Sequence, residues 1–236
     1  MKKFTILKEI KKIMDKLTKD FREFAIDKTN TKPSVFDATI KNFTTPYILE
    51  ERKMNVSPLD VFSRLMYDRI IFLSGEVTPE SMDIITAQLL YLDSIDERDI
   101  NLYVNSGGGD CYAGLQLVSV MDFIKSNVST TVLGIAASMA AVIASNGAKG
   151  KRFALPYSRF MIHQPSSYSG YSKFTDSKIA LKEMESVRND LYDVLAKNSG
   201  KPLEEIITMC ENGDYFMKPD EAIKHGFIDT IITSVK

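Results

Sequence analysis

Ser138 is the side chain best placed to do chemistry. It stands in the stretch TTVLGIAASMAAVIASNGAKGKR that runs from Thr130 to Arg152. Thr130, Thr131 and Val132 are β-branched and read as a strand; Gly134 and small residues follow, and an Ala/Met/Ile run then reads as a helix. A serine at a strand-to-helix corner lies where the first helical N–H groups have no intrahelical acceptor and the helix dipole presents partial positive charge. An oxyanion formed beside it would meet donors already aimed at it. Ala136 and Ala140, two residues before and two after, leave room for a sharp turn, as in a looser relative of the G-x-S-x-G nucleophile elbow. The same letters fit a purely structural helix cap, because serine is a preferred N-cap and small residues let helices pack closely.

A hydroxyl nucleophile needs a base, and the chain holds only 2 histidines. His163 ends an apolar run between Ile162 and Gln164, where an imidazole needs a polar partner; a satisfied core histidine accounts for it equally well. His225 precedes Gly226 in DEAIKHGF and reads as a helix C-terminus with a glycine cap, a structural position. Lys149 and Lys151 keep a Ser-Lys peptidase open as an alternative. A second small-residue segment, Asn105-Ser106-Gly107-Gly108-Gly109-Asp110, follows the run INLYV. It lacks the Lys-Ser/Thr of a P-loop and the spacing of a dinucleotide fingerprint, which argues against nucleotide binding. Glycines also serve where backbone N–H groups must come close to a substrate, and Ser138 follows one strand later.

The elements that position these residues alternate. Residues 58–67 read as a short helix with Pro58 in its first position, 69–73 as a strand closed by Ser74-Gly75, and 79–91 as a helix capped by Thr78. Residues 100–104 are the next strand and 111–126 the next helix, a β-α-β-α order that calls for parallel strands joined by right-handed crossovers. After the Ser138 helix, RFALPYSRFMIHQP supplies strand and turn, and 166–173 is polar. A long helix over 175–199 carries Ile179, Met184, Val187, Leu191, Val194 and Leu195 at helical spacing and suggests a subunit contact. A helix over 203–209, a turn at Gly213-Asp214, a helix over 219–225 and a strand over 227–233 close the chain. At the other end, residues 1–24 read as a lysine-rich amphipathic helix whose interspersed acids favour packing on protein over lying on a membrane, and 25–55 read as a linker.

The composition sets limits. With 236 residues, 44% apolar and 26% charged, the chain suffices for one large domain with extensions. A formal net charge of -1 gives no reason to expect nucleic acid as a partner. The 2 cysteines, Cys111 and Cys210, form no C-x-x-C, so neither a metal site nor a disulfide framework is expected, and a reducing, cytoplasmic setting follows. No apolar run approaches the roughly 18 residues of a membrane span.

Taken together, DRIIFLSGEV, LYVNSGGGDCYAGL, ASMAAVIASNGAKGKRFALPYSRFMIHQP and DEAIKHGFID resemble, in the family's order, the proteolytic subunit of the ATP-dependent Clp protease, the ClpP family. The resemblance covers Tyr47 to the C-terminus. It implies an α/β fold, the repeated β-β-α spiral shared with crotonases plus a protruding helix-strand handle, for residues 46–236, with 1–45 an N-terminal extension in the place of a propeptide. It implies a serine endopeptidase in which Ser138 is the nucleophile, His163 the general base and Asp214 the carboxylate that orients it, with oxyanion donors at Gly109 and Met139 and with Gly108 adjacent. It implies no cofactor in this chain, the ATP being used by an AAA+ unfoldase that feeds in unfolded polypeptides and docks at an apolar pocket to which Tyr103 and Phe123 belong. It also implies heptameric rings stacked as a tetradecamer, with the ring-to-ring contact falling at about 166–197. Departures are visible: Gly107 replaces a proline, Asn101 an aromatic residue and Gly213 an arginine, while Gly170 stands alone where several glycines are usual. An acyl-CoA hydratase or isomerase of the crotonase type, and a catalytically inactive ring subunit, are the competing readings.

Overall fold

The computed structural model describes residues 47–52, 55–166 and 173–233. The chain divides into two compact units, residues 1–61 and 62–236. In the first, β1 (Tyr47–Arg52) and β2 (Asn55–Asp60) form an antiparallel pair in which Tyr47 faces Asp60 and Leu49 faces Pro58. The expected linker therefore ends in a hairpin, and Pro58 is a strand residue rather than the first of a helix; in a two-stranded sheet each strand keeps an unpaired edge, where a missing N–H costs nothing. Helix α1 starts at Val61 and ends at Tyr67. The expected helix at 1–24, the boundary after residue 45, Gly170 and most of the polar segment 166–173 lie outside the described residues.

In the second unit β3 (Ile70–Val77), β4 (Ile100–Gly109) and β5 (Val128–Ala137) are parallel neighbours. They are joined through α2 (Pro79–Ile95) and α3 (Cys111–Phe123), which is the alternation expected. Helix α2 begins as expected, with Thr78 and Ser81 capping each other's backbone N–H at 3.2 and 2.9 Å, and its buried stripe of Met82, Ile85, Leu89 and Leu92 carries it a turn further than expected. Strand β3 does not stop at Ser74-Gly75 but passes through them with a register shift, and Arg69 is not in it. Instead Arg69 is buried at φ 61°, and its guanidinium donates to the carbonyls of Leu92 at 2.8 Å and Arg98 at 2.7 Å and to Ser126 Oγ at 3.0 Å. A buried cation with every arm occupied pins the end of α2 to the start of β3.

Strand β5 is where the sheet divides. Its first part, Thr130 to Val132, pairs with β6 (Arg152–Ala154), and its last part, Ile135 to Ala137, pairs with β7 (Arg159–Ile162). Gly134 lies at the fork, where a Cβ would meet Asn105 Oδ1 at 2.6 Å, and that oxygen instead accepts the N–H of Ile135 at 3.2 Å. Helix α4 (Met139–Ser145) follows directly and all of its residues are buried, so the sheet and its flanking helices close over it. The long α5 (Phe174–Ser199) buries only Val187, Leu191, Tyr192 and Leu195; Ile179, expected in the apolar stripe, is 64% exposed, which leaves the first half of the helix projecting. The remaining elements are α6 (Leu203–Glu211), β8 (Tyr215–Met217), α7 (Pro219–Lys224) and β9 (Thr230–Ile231). The closing strand is shorter than expected because Phe227 and Ile228 turn into the core, where Phe227 stacks on Phe160 at 5.4 Å.

Candidate active site

The N-cap reading of Ser138 makes a testable demand: its side chain should accept a backbone N–H of α4, and it does not. The residue occupies the cap position but sits at φ 55° and ψ -126°, outside the regions that side-chain-bearing residues favour. Backbone bonds hold it there. Its N–H donates to Met161 O at 2.9 Å, and its carbonyl accepts from Ala141 N at 2.9 Å and Val142 N at 3.3 Å. With the main chain fixed from both sides, Oγ is turned away from the helix and lies 2.8 Å from His163 Nε2. The other imidazole nitrogen, Nδ1, is 2.9 Å from Asp214 Oδ1.

Strand register explains how residues far apart in the chain meet. β5 and β7 run parallel with Ala137 opposite Met161, so the chain leaves both strands at the same end, Ser138 from one and His163 from the other. β8 runs antiparallel to β7, with Phe160 opposite Met217, Met161 opposite Phe216 and Ile162 opposite Tyr215. The next pair out along that ladder is His163 and Asp214. Sequence reasoning gave Asp214 only a turn and missed β8; three residues flanked by Gly213 and Pro219 carry too little periodicity to be read as a strand.

The glycine run packs against this corner. A Cβ on Gly108 would stand 2.7 Å from both the Ala137 carbonyl oxygen and Ser138 Cβ, and 3.0 Å from the Met139 nitrogen, so only glycine lets the two segments come this close. Gly108 N–H is itself engaged by Ser106 Oγ at 3.1 Å. Gly109 backs onto β3, where an added Cβ would lie 2.2 Å from the Val77 carbonyl oxygen. Met139 opens α4, and the amide of a helix's first residue has no acceptor within the helix. Of the residues named as oxyanion donors or their neighbour, Gly108 and Met139 thus lie against Ser138, and Gly109 lies between them and β3.

The remaining candidates fall elsewhere. Lys151 pairs with Asp99 at 2.7 Å, at the opposite end of β6 from the turn that leads to β7. His225 caps α7 as expected, and its Nε2 lies 3.4 Å from Tyr215 Oη. Tyr103 stacks on Phe72 with ring centroids 5.5 Å apart, Phe62 stands edge-on to Phe72 at 5.4 Å, and Phe123 at the end of α3 is 81% exposed. Among the described residues no group of three or more His, Cys, Asp or Glu is disposed to hold a metal ion, and no helix is long and apolar enough to cross a membrane.

Beside Ser138 is a small apolar pocket whose lining includes Cys111, Met139, Val142, Tyr192 and Leu195. Burial pushes the Cys111 thiol up, with the Asp110 carboxylate adding to it, so the thiol beside the serine stays protonated near neutral pH. Burial, and next the neighbouring Cys210, push the Tyr192 hydroxyl up to about 12. Sequence reasoning passed over Tyr192, although it sits one residue after Leu191 in the stripe of α5; an aromatic residue within an apolar stripe gives no sign of its own that it borders a site.

A family model described as Clp protease matches residues 52–235. The ATP-dependent Clp protease proteolytic subunit of Bacteroides fragilis strain YCH46 is 44% identical over 217 residues, which is 90% of this chain and 98% of that protein. The protein of the same name from Porphyromonas gingivalis strain W83 is 46% identical over 192 residues, 81% of this chain and 86% of the relative. That of Streptococcus thermophilus strain LMD-9 is 45% identical over 191 residues, 80% and 97% respectively.

Proposed function

From the premise that the chain belongs to the Clp protease family and is a serine-type endopeptidase subunit, we propose how its residues divide the work and what it works with. Ser138 Oγ attacks the carbonyl carbon of a peptide bond while His163 Nε2 takes its proton. Asp214 holds Nδ1–H, fixing the tautomer, and stabilises the imidazolium that forms. The oxyanion is met by the N–H of Met139 and by the backbone of the glycine run at Gly109, while Gly108 keeps the approach clear. His163 then gives its proton to the departing amine, and a water activated by the same imidazole hydrolyses the acyl-enzyme. No step draws on a cofactor held by this chain.

The observation that carries this reading is the relay of 2.8 and 2.9 Å contacts from Ser138 Oγ through His163 to Asp214, on a serine that makes no capping bond. Around it we place the assembly: copies of this chain associate into stacked heptameric rings, an AAA+ Clp ATPase docks at the face bearing Tyr103 and Phe123, and unfolded polypeptides are the substrates, in the cytoplasm. The exposed first half of α5 supports its use as a contact between subunits.

Fluorophosphonate labelling tests the chemistry. The wild-type protein should be modified on Ser138 and cleave a small fluorogenic peptide, and Ser138→Ala should lose both while assembling normally. An unlabelled serine would return the glycine run to the crotonase-type reading. Native mass spectrometry with and without an unfoldase tests the assembly, and a monomer under both conditions would reject the rings.

A further inference from the structure

Of the three relay residues Asp214 is the most exposed. Among the described residues, the bond to His163 Nδ1 is the one that holds its carboxylate. Gly213 before it has φ 106°, and a Cβ added there would meet nothing within 4 Å, so the chain on that side is not gripped. The direction of the carboxylate is therefore set from the other side, by Tyr215, the first residue of β8.

Tyr215 is anchored by a row of rings. Its ring stands edge-on to His225 with centroids 5.8 Å apart, and its Oη lies 3.4 Å from His225 Nε2. His225 lies 6.5 Å from Phe227, which stacks on Phe160 of β7, and Phe160 faces Met217 across the ladder that begins at Tyr215. The row thus leaves β8 and returns to its partner strand. Its middle is fixed: a Cβ on Gly226 would come 2.3 Å from the Ser199 carbonyl oxygen, and His225 N–H donates to Glu221 O at 2.9 Å. A tyrosine seated on so fixed a ring holds the start of β8, one residue from Asp214.

His225 Nδ1 is buried with no hydrogen-bond partner. An unsatisfied acceptor is tolerated more readily than an unsatisfied N–H, so the neutral ring carries its proton on Nε2 and donates it to Tyr215 Oη. Burial, and next Lys201, hold the imidazole below its ordinary value. The charged groups that face it are Lys201, from the turn after α5, and Glu205 of α6, which pair with each other, together with Glu221 and Lys224 of α7 itself. Their charges balance and give no net help to an imidazolium. A second proton would sit on Nδ1 without an acceptor, and relieving it turns the ring out of the row.

We propose that Tyr215 and His225 are positioning residues of this peptidase: the neutral imidazole holds Tyr215, Tyr215 holds Asp214 against His163, and a proton on His225 releases the aspartate. The inference rests on the peptidase reading above and adds to it a regulation of the same site.

The test uses the full-length protein, a small fluorogenic peptide and two variants that keep the rings, Tyr215→Phe and His225→Phe. Each should lower kcat by about 3- to 10-fold at about pH 8, the range of one neutral hydrogen bond, with KM unchanged. The double variant should fall no further than either alone, because both changes remove the same bond. The advantage of wild type over each variant should persist at neutrality and shrink toward one as pH falls through the lowered value of His225. His163 is common to all the proteins compared, so its own titration cancels from that ratio. A ratio that stays constant down the acid limb, additive losses, or wild-type kcat in both single variants would overturn the proposal. If one variant does not fold, the pH dependence of the other decides it. No cleavage by wild type, together with an unlabelled Ser138, would instead overturn the peptidase reading and this proposal with it.

Discussion

The two ends of the catalytic relay are built in opposite ways. Ser138 sits on an enclosed part of the molecule: Ala136 and Ala137 before it and all of α4 after it are buried, and its own backbone bonds reach β7 and α4. Asp214 comes from the turn before a three-residue strand, its side chain is 58% exposed, and His163 is the partner it meets. At the serine, an unfavourable φ is held by the surrounding core, so changes there should cost both stability and rate. At the aspartate little is packed, so changes there should cost rate alone. The imidazole between them, 25% exposed, is placed by the ladder between β7 and β8, which His163 leaves opposite Asp214.

Asp214→Asn offers the largest break in this comparison. It should lower kcat by a factor on the order of 10²–10⁴, because an amide no longer fixes the imidazole tautomer or balances its charge. Its melting temperature should stay within a degree or so of wild type; a large drop would show that the aspartate corner is structural after all. Gly108→Ala probes the serine corner without touching a catalytic side chain. At φ 95°, with the Ala137 carbonyl and Ser138 Cβ 2.7 Å from the new methyl, the backbone must move. The expected result is a loss of about 1–3 kcal/mol in stability, together with slower fluorophosphonate labelling, read by denaturant unfolding and labelling kinetics on the same sample. Rate loss without stability loss would mean that this corner is no better supported than the other.

The smallest effect on rate and the sharpest on folding should come from Arg152→Met, far from the reacting atoms. Arg152 is 2% exposed; it donates through Nε and its backbone N–H to Asp229 Oδ2 and through Nη1 to the carbonyls of Ser145 and Asn198, which ties the end of α4 to the end of α5. Removing it leaves Asp229 without its counter-charge and should cost about 3–5 kcal/mol, while the peptidase activity of the folded fraction remains. Burial pushes the Asp229 carboxyl up, but the hydrogen bonds from Arg152 outweigh it and hold the group below its ordinary value. A carboxylate depressed in the folded state contributes its stability above the unfolded pKa of about 3.9 and loses it as pH falls through the lower folded value. The gap in denaturant midpoint between wild type and Arg152→Met should therefore be widest above pH 5 and narrow toward pH 2.

Much of this was legible in the linear order of residues. The Thr78 cap, the β-α-β-α alternation and the strand-turn-helix around Ser138 depend on neighbours a few positions away, and local interactions write themselves into composition and spacing. The elements misjudged were those settled at long range. Pro58 entered a strand because a hairpin partner was present, Arg69 left β3 because carbonyls at Leu92 and Arg98 took its guanidinium, and Phe227 left the closing strand because Phe160 offered a stacking surface. For the site, Ser138 and His163 could be picked out by type and setting, whereas Asp214 came only from the family resemblance and Tyr192 not at all.

By itself, then, the sequence determined which side chains were capable of the chemistry and the class of fold that would carry them, because a nucleophile at a helix start, an isolated imidazole and alternating elements are local facts. Only the tertiary structure decided that Ser138 turns its hydroxyl away from the helix that follows it, that His163 and Asp214 continue one ladder, and that Tyr192 of α5 joins the lining of the space beside them. Those outcomes depend on strand register and on which surfaces remain to be buried once the chain has collapsed. Both are properties of contacts between distant segments, and no single segment specifies them.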